Sequence, residues 1–490
     1  MDTGQKFGNL PTGSAPVARS VPVWPQHVAA LLATLSTMSA GIVIGWSTTA
    51  LPYLAEELAE LEVSQEEGSW LSSLSALGAF AGAAPAGLLA DRFGRKRVLL
   101  ALGAPFIVSW LMLVAAHHSL PVVYAARFIA GLGTGGSFVL APIYNEEIAE
   151  VRIRGTLGSY AEVMLCLGVL YVFVMGTILP FVWSQVACLL VVLLFLCAFA
   201  WLPESPVYLV KKGLADEAQR ALAWLRGADD PRDPAVQKEL QAIEGFVHES
   251  QQVREKPKTS RRRLPVSSNT LKVTGIVYGL MILQQMSGTS AFMFNLVSVF
   301  RDAGVDMSAH VASIIVAAVQ LAGGVLAALV VDRLARRLLL VASMSVMAVC
   351  LVAIAVYTRL HLGGAVDTSR ASWLPLLALC VYVIAFELGI GTLPWLMMAE
   401  LAPSSSHGFV CGSSVSVNWL VMFAVTKTFG DMVAGAGLAM TYGVYAVFMV
   451  VGAAFAHWCV PETSGKTREQ IQHELKYGRA ASPSDLERAS

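Results

Sequence analysis

Long apolar stretches alternate with short polar ones along most of the chain. A helix needs about 20 mainly apolar residues to cross a bilayer, and twelve stretches of about that kind follow residue 27. The predicted spans cover residues 28–50, 70–90, 98–116, 122–144, 157–179, 182–202, 271–295, 311–331, 338–357, 373–398, 408–429 and 436–459. The pattern predicts an all-α membrane protein with twelve transmembrane helices, six on each side of a polar insert.

Composition supports a chain whose outer surface faces lipid. Hydrophobic residues make up 56% of the sequence and charged residues 14%, against about 45–50% and about 25% in soluble domains. These values exclude a disordered chain, a coiled coil and a cytosolic multidomain enzyme. We find no nucleotide-binding loop, nucleophile motif or metal-ligand spacing. We therefore predict that the protein is not an enzyme and has no cofactor.

The distribution of charge predicts the orientation. Lys plus Arg and Asp plus Glu are 34 each, so no bulk basicity suggests a nucleic-acid partner. With a cytoplasmic N-terminus, 29 of the 34 basic residues lie on the inner side, while the first outer loop carries six glutamates and no basic residue. Because basic residues concentrate in cytoplasmic loops, we expect a multi-pass protein of the cell membrane with both termini in the cytoplasm.

The seven cysteines predict no covalent or metal framework. All lie within apolar runs, and none forms a CxxC motif. They are typical of small core residues, so neither a disulfide framework nor a zinc site is expected. Residues 1–27 also lack the charged start and cleavage site of a signal peptide.

The domain organisation follows from the spans and the insert. Residues 215–225 and 234–247 of the insert have the pattern of short amphipathic helices. The basic run at 254–263 is interpreted first as a solvated linker and alternatively as a tether to anionic lipid or a phosphoregulated site. The predicted units are a cytoplasmic tail (1–27), a six-helix half (28–202), a cytoplasmic linker (203–270), a second six-helix half (271–460) and a cytoplasmic tail (461–490).

The two halves repeat each other. Asp91-Arg-Phe-Gly-Arg-Lys96 follows the second span, and Asp332-Arg-Leu-Ala-Arg-Arg337 follows the eighth, 241 positions later. Glu147 precedes an Arg-Gly pair by seven residues, and Glu400 precedes a His-Gly pair by the same distance. A Pro-Glu pair follows both the sixth and the twelfth span. Such parallel repeats predict the two pseudo-symmetric halves of a major-facilitator fold.

The repeated charges also suggest a gate. Basic turns that meet carboxylates at the inner membrane surface can close that side and must separate when it opens. The alternative is that these basic residues only fix the topology. The candidate gating residues are Asp91, Arg92, Arg95, Glu147, Arg154 and Glu204 in the first half, and Asp332, Arg333, Arg336, Glu400 and Glu462 in the second.

Several further motifs carry a family resemblance. They are Arg127 with Gly131 and Gly135, Pro142-Ile-Tyr-Asn-Glu-Glu147, Arg154-Gly155, Pro203-Glu-Ser-Pro206, Gln284-Gln-Met-Ser-Gly288, Phe386-Glu-Leu-Gly389, Pro394-Trp395, Asn418-Trp419 and Pro461-Glu-Thr-Ser-Gly-Lys-Thr467. With the basic turn at Asp91, the ordered set resembles the sugar porter family of major-facilitator transporters, especially insect facilitated trehalose transporter-like proteins and class III facilitative glucose transporters. The resemblance covers about residues 28–467.

The resemblance implies alternating-access transport of a sugar, with most polar contacts made by the second half. A pyranose offers hydroxyl groups above a weakly apolar face, so amides, carboxylates and an aromatic wall suit it. Buried amides can instead join helices to each other. The implied substrate-binding residues are Glu162, Gln284, Gln285, Ser290, Asn295, Gln320, Phe386, Glu387, Trp395 and Asn418.

Departures from the family pattern bear on substrate and coupling. Ser290 stands where Asn is usual, Asn295 replaces an aromatic residue, and Glu162 replaces a Gln. The first span has the uncharged Val43 where proton-coupled relatives carry Asp, which favours facilitative uniport. The resemblance implies trehalose or a hexose as the substrate, and we expect the protein to function as a monomer.

Three alternatives remain open at this stage. Glu162 could support proton-coupled symport of a sugar or polyol, because a pump needs an intramembrane group that changes protonation. It could instead pair structurally with Arg127. A non-transporting sugar sensor is the third, less favoured reading.

Overall fold

The computed structural model describes residues 23–56, 64–116, 118–255, 268–302, 307–331, 333–363, 371–403, 407–464, 466 and 468–477. Helices and short connections, without any strand, account for these residues. Eleven of the helices are long and apolar enough to cross a membrane. The candidate gating residue Asp332 and most of the basic run at 254–263 lie outside the described residues.

The first half contains six spans, which we number in chain order. The third is interrupted at Leu102, which separates its two helices. The spans are Trp24–Glu56, Gln65–Phe93, Arg95–Ala101 with Gly103–Ala116, Leu120–Ile148, Arg154–Ile178 and Phe181–Phe199.

The second half contains the other six. The seventh span is divided into three shorter helices, so it is not among the eleven long ones. Eleven long helices therefore correspond to a twelve-helix fold. The spans are Ser268–Gln285 with Thr289–Phe294 and Leu296–Asp302, Ala309–Val330, Arg336–Gly363, Leu374–Phe386 with the π-helical Glu387–Gly391 and Leu393–Leu401, His407–Ala436, and Leu438–Cys459.

The repeat seen in the sequence reappears in the packing. Span 1 packs on span 5, span 2 on span 4 and span 3 on span 6; spans 7 and 11, 8 and 10, and 9 and 12 pair in the same way. Glycine allows the close contact of spans 1 and 5. A Cβ atom would lie 2.1 Å from the Leu165 carbonyl oxygen if placed on Gly41, and 2.1 Å from the Met38 carbonyl oxygen if placed on Gly168. A larger residue at either position would push these helices apart.

The two halves meet along two symmetry-related pairs of helices. Span 2 packs on span 11, and span 5 packs on span 8. In the first contact, the small residues Ala76 and Ala79 lie against Trp419 and Met422. The second contact brings span 5 close to the π-helical segment of span 10, where the candidate binding residues are concentrated.

The insert folds into the helices Pro206–Lys211, Ala215–Leu225 and Pro234–Glu255, and the last two begin where amphipathic helices were predicted. Arg226 attaches this bundle to the first half. Its guanidinium donates to the Ile148 carbonyl at 3.1 Å and pairs with Glu239 at 2.5 Å. It also lies 3.7 Å from the Glu150 carboxylate. Arg226 is 5% exposed, so the insert is anchored by a buried cation.

Candidate substrate site

A chain of buried amides connects spans 7 and 11. The Asn418 amide donates to Gln284 Oε1 at 2.7 Å, and the Gln285 amide donates to Asn418 Oδ1 at 3.1 Å. Ser290 extends the chain by donating to Gln285 Oε1 at 2.8 Å. Gln284 also donates to the Gly391 carbonyl oxygen at 2.6 Å. Four of the predicted binding residues therefore form one network, which reaches the π-helical segment of span 10.

The break in span 7 positions these amides. Gly288 adopts φ 85°, a left-handed conformation that glycine reaches without a Cβ clash. Tyr382 fixes the turn from span 10, because its hydroxyl donates to the Ser287 carbonyl at 2.9 Å and lies 2.7 Å from the Thr289 hydroxyl. The helix consequently ends at Gln285, with its last two side chains held in the network.

Gln320 and Glu387 form a second polar group. Gln320 Nε2 donates to Glu387 Oε1 at 3.0 Å, and the carboxylate of Glu387 is fully buried. Cys166 of span 5 lies 3.9 Å from the same carboxylate oxygen, and Glu162 lies one turn before it on the helix. The structure thus brings Glu162 within 4.8 Å of Glu387, across the boundary between the halves.

The expected alternative pairing of Glu162 with Arg127 is wrong. Arg127 is fully buried and donates to the carbonyl oxygens of Leu71 at 3.1 Å and Val43 at 2.8 Å. It also donates to the hydroxyls of Ser47 and Ser75 and lies over the Trp46 ring. Since its donors face spans 1 and 2, Arg127 stabilises the first half. It does not pair with Glu162, which lies at the boundary between the halves.

Aromatic side chains from both halves meet beside the network. Trp395 lies 6.2 Å from the Phe138 ring, and Trp419 contacts the same ring edge-on at 5.2 Å. Phe386 and Trp395 are half-buried, consistent with a wall that a ligand could touch. Phe138 was missed from the sequence, because no local pattern marks a contact between spans 4 and 10.

Asn295 is the predicted binding residue that stays apart from these groups. Its amide donates to the Ala291 carbonyl of its own helix at 2.9 Å. The side chain is half-buried, and the bond shows that it caps a turn of the broken span 7.

The charged turn of the first half forms a compact cluster. Arg95 is 4% exposed and pairs with Glu147 at 2.9 Å and with Asp91 at 3.0 Å. Glu204 accepts hydrogen bonds from the backbone N–H groups of Arg95 and Lys96 at 3.0 and 2.9 Å. A carboxylate at a helix N-terminus stabilises that end, so Glu204 fixes the start of span 3.

The second half repeats the arrangement. Arg336 pairs with Glu400, and Glu462 accepts from the backbone N–H groups of Arg336 and Arg337 at 3.0 and 3.1 Å. Each described ion pair at these turns joins residues of one half. The other described gating candidates lie on the surface: Arg92, Arg154 and Arg333 are exposed.

Comparison with known proteins identifies the family. A family model described as "Sugar (and other) transporter" matches residues 27–475. This chain belongs to that family. It is similar to the facilitated trehalose transporter Tret1 of Aedes aegypti, with 33% identity over 94% of this chain and 56% of the relative. Tret1 of Culex quinquefasciatus is also 33% identical, over 94% of this chain and 87% of the relative. The chain thus spans about half the length of the first relative and most of the second.

Solved structures agree on the fold. The chain is similar to the xylose transporter XylE from E. coli in its inward open conformation, with a TM-score of 0.74 and 22% identity over 91% of this chain and 99% of that one. It is also similar to the proton:xylose symporter XylE bound to 6-bromo-6-deoxy-D-glucose, with a TM-score of 0.70 and 23% identity over 92% and 100% of the two chains. This sugar transporter family member therefore has the twelve-helix major-facilitator fold and is a multi-pass membrane protein.

Proposed function

We propose that the protein is a facilitative sugar transporter that carries trehalose or a hexose by alternating access. The relatives named as facilitated trehalose transporters support the substrate class. The excess of basic residues on one side of the membrane supports an orientation with both termini in the cytoplasm. We place the protein in the cell membrane, acting as a monomer, and assign it no catalytic residue.

The amide network carries this proposal. A sugar hydroxyl both donates and accepts, and each Gln or Asn side chain offers two donors and one acceptor oxygen. Gln285 and Asn418 are 8% and 2% exposed and bond mainly to each other and to their neighbours. A sugar can replace these internal bonds with its own hydroxyls, so the network can be satisfied both with and without substrate.

The coupling mode is argued from span 1. Val43 presents only its backbone carbonyl to Arg127, whereas a proton-coupled carrier needs an intramembrane group that changes protonation. Arg127 instead donates its hydrogen bonds to carbonyl and hydroxyl oxygens. This arrangement of spans 1 and 4 supports downhill transport of the sugar.

Uptake into proteoliposomes tests the proposal. The purified protein should take up labelled trehalose, glucose or fructose until the concentrations inside and outside are equal, with or without a pH gradient. Absence of uptake of all three by folded protein would contradict the transport proposal and favour the sensor.

Proton-coupled symport of a sugar or polyol is the second candidate function, and one observation favours it. Oxygens of Glu162 and Glu387 lie within 4.8 Å of each other at the boundary between the halves. Because two buried negative charges repel each other and lose hydration, such a pair can hold a proton. Accumulation of sugar above the outside concentration when the outside is acid would establish this candidate over uniport.

A further inference from the structure

A cavity lies between the start of span 9 and the end of span 12, away from the proposed sugar site. Its volume is about 230 Å³, and it is lined by Arg337, Leu338, Val341, His457 and Glu462. Spans 9 and 12 pack against each other, and both reach the membrane surface here, beside the charged turn of the second half. We call this space the span 9–12 cavity.

The cavity opens on the lipid-facing side of these spans. Leu338 is 65% exposed, and the exposed residues Val349, Val352 and Val356 continue the same apolar face of span 9 at helical spacing. Trp458, next to His457 at the end of span 12, is 79% exposed. Because tryptophans at the ends of spans lie at the level of the lipid headgroups, the cavity is at the depth where headgroups meet acyl chains.

Two basic side chains in this cavity have no acidic partner. Among the described residues, no ion pair includes Arg337 or His457. Glu462 does not neutralise them, because its carboxylate accepts from the backbone N–H groups of Arg336, Arg337 and Ser464 at 3.0, 3.1 and 2.9 Å. Those N–H groups and the start of span 9 offset its charge. The Arg337 guanidinium is therefore available to an anion.

The corresponding place in the first half has a different composition. His457 stands four residues before the Pro-Glu pair that follows span 12, whereas Phe199 stands four residues before the Pro-Glu pair that follows span 6. Phe199 is fully buried and contacts the Tyr144 ring edge-on at 5.2 Å. The repeated fold therefore does not require a basic residue at this position, and His457 points to a role that the first half lacks.

We propose that the span 9–12 cavity binds the phosphate of an anionic phospholipid from the adjacent leaflet. The Arg337 guanidinium can donate two parallel hydrogen bonds to phosphate oxygens, and the His457 imidazole can donate a third. An acyl chain of the lipid then lies along Leu338 and the apolar face of span 9. A choline lipid suits the cavity less, because it brings its own cation close to Arg337.

Such a lipid would connect two spans of the second half. Arg337 belongs to span 9 and His457 to span 12, so bonds from one phosphate to both residues hold these spans together at the membrane surface. Bound lipid should therefore stabilise the folded protein. None of the proposed sugar-binding residues lines the cavity, so the inference does not depend on the proposed transport, and its test uses no sugar.

Native mass spectrometry of the purified full-length protein tests the site. Phosphatidylglycerol should bind more tightly than phosphatidylcholine with the same acyl chains, and it should raise the melting temperature. Arg337→Gln should weaken phosphatidylglycerol binding about tenfold or more, since hydrogen bonds between charged groups contribute that much to affinity. Arg333→Gln is the matched control, because Arg333 is exposed at the same turn but does not line the cavity. It should bind phosphatidylglycerol as wild type does.

A second variant and a soluble competitor complete the test. His457→Phe introduces the residue of the first half and should also weaken phosphatidylglycerol binding. Free glycerol phosphate, which has the headgroup without acyl chains, should not displace the lipid at equal concentration. Equal binding of the two lipids by wild type overturns the proposal, as does wild-type binding by both Arg337→Gln and His457→Phe. Displacement of the lipid by equimolar glycerol phosphate would show a site for a soluble anion and would likewise overturn it.

Discussion

Lys427 of span 11 donates a hydrogen bond from Nζ to the hydroxyl of Ser69 on span 2, at 2.9 Å. Its ammonium also lies 5.0 Å from the centre of the Trp70 ring, and Trp70 in turn contacts Phe423. Ser69 lies near the start of span 2, after the acidic loop that we assign to the outer side. These contacts join the two halves at that end, so we expect them to help keep that end closed and to act as an outer gate.

Lys427→Met should therefore shift the protein towards the outward-open state. Cation–π contacts contribute about 0.5–2 kcal/mol, which corresponds to an increase of about 2- to 30-fold in the open population. A cysteine introduced at Ser72, one turn below Ser69 and 1% exposed, reports the opening. Its labelling by a membrane-impermeant maleimide from outside should become faster.

Ser69→Ala is the matched control for this contact. It removes the hydrogen bond and leaves the ammonium over Trp70, so labelling should increase less than in Lys427→Met. Labelling of Lys427→Met at the wild-type rate would exclude an outer gate at this position.

Gln285→Ala should abolish most sugar uptake without preventing folding. The variant loses a contact to substrate and removes the Gln285 partner of Asn418 Oδ1 and of the Ser290 hydroxyl, and each unsatisfied buried group costs about 1–3 kcal/mol. Asn418→Ala should have a similar effect, because both amides belong to one network. Uptake kinetics and sugar binding by the purified variants measure the loss.

Gln185→Ala is the control for a buried amide outside the site. Gln185 accepts a hydrogen bond from the Trp46 indole at 2.8 Å and contacts none of the proposed binding residues. It should lower the melting temperature with little change in the half-saturating sugar concentration. An unchanged half-saturating concentration in Gln285→Ala would remove Gln285 from the substrate site.

Glu147→Lys should disrupt the charged turn of the first half, and we expect this to weaken closure of the inner side. The change places a second cation beside the buried Arg95 guanidinium, and breaking a buried ion pair costs about 3–5 kcal/mol. Because Arg336 and Glu400 repeat this pair, Glu400→Lys should act in the same direction. Labelling of inner-facing cysteines from the cytoplasmic side should increase in both variants.

Asp91→Asn is the control that shows whether loss of any charge at this turn affects gating. Asp91 also pairs with Arg95, but its side chain is 63% exposed, and exposed pairs contribute about 0–1 kcal/mol. This variant should behave almost as wild type. If Glu147→Lys also transports normally with unchanged accessibility, the charged turn serves topology alone.

The spans and their repeat were predictable because they depend on local patterns, whereas the residues of the polar network were implied by the family resemblance. An apolar run long enough to cross the bilayer predicts a span whatever its neighbours are, and Gln284 with Gln285 lies in a short recognisable motif. The interruptions in spans 7 and 10 were harder to predict, since the glycines at 288, 389 and 391 mark possible breaks without fixing their geometry.

Contacts between distant segments could not be predicted in this way. Cys166 and Glu387 are 221 positions apart, and only the packing of span 5 against the second half brings them together. The same holds for Phe138 beside Trp395. Pairing of Arg127 with Glu162 was one of the alternatives left open, although the carbonyl and hydroxyl oxygens of spans 1 and 2 satisfy the donors of Arg127. Local patterns predict which residues are buried, but not which of the available partners each one meets.

Glu162→Gln decides between the two coupling modes, because it removes the charge and retains the shape. Wild-type uniport should be indifferent to an imposed pH gradient. The variant should then exchange sugar as well as wild type does, with an altered preference between trehalose and hexose if Glu162 touches substrate. Proton-coupled symport predicts a different pair of results. Wild type would accumulate sugar when the outside is acid, whereas Glu162→Gln would still exchange sugar but not accumulate it, because the buried pair would no longer carry a proton across the boundary. That outcome would replace the facilitative mechanism, since a uniporter of any affinity cannot raise the inside concentration above the outside.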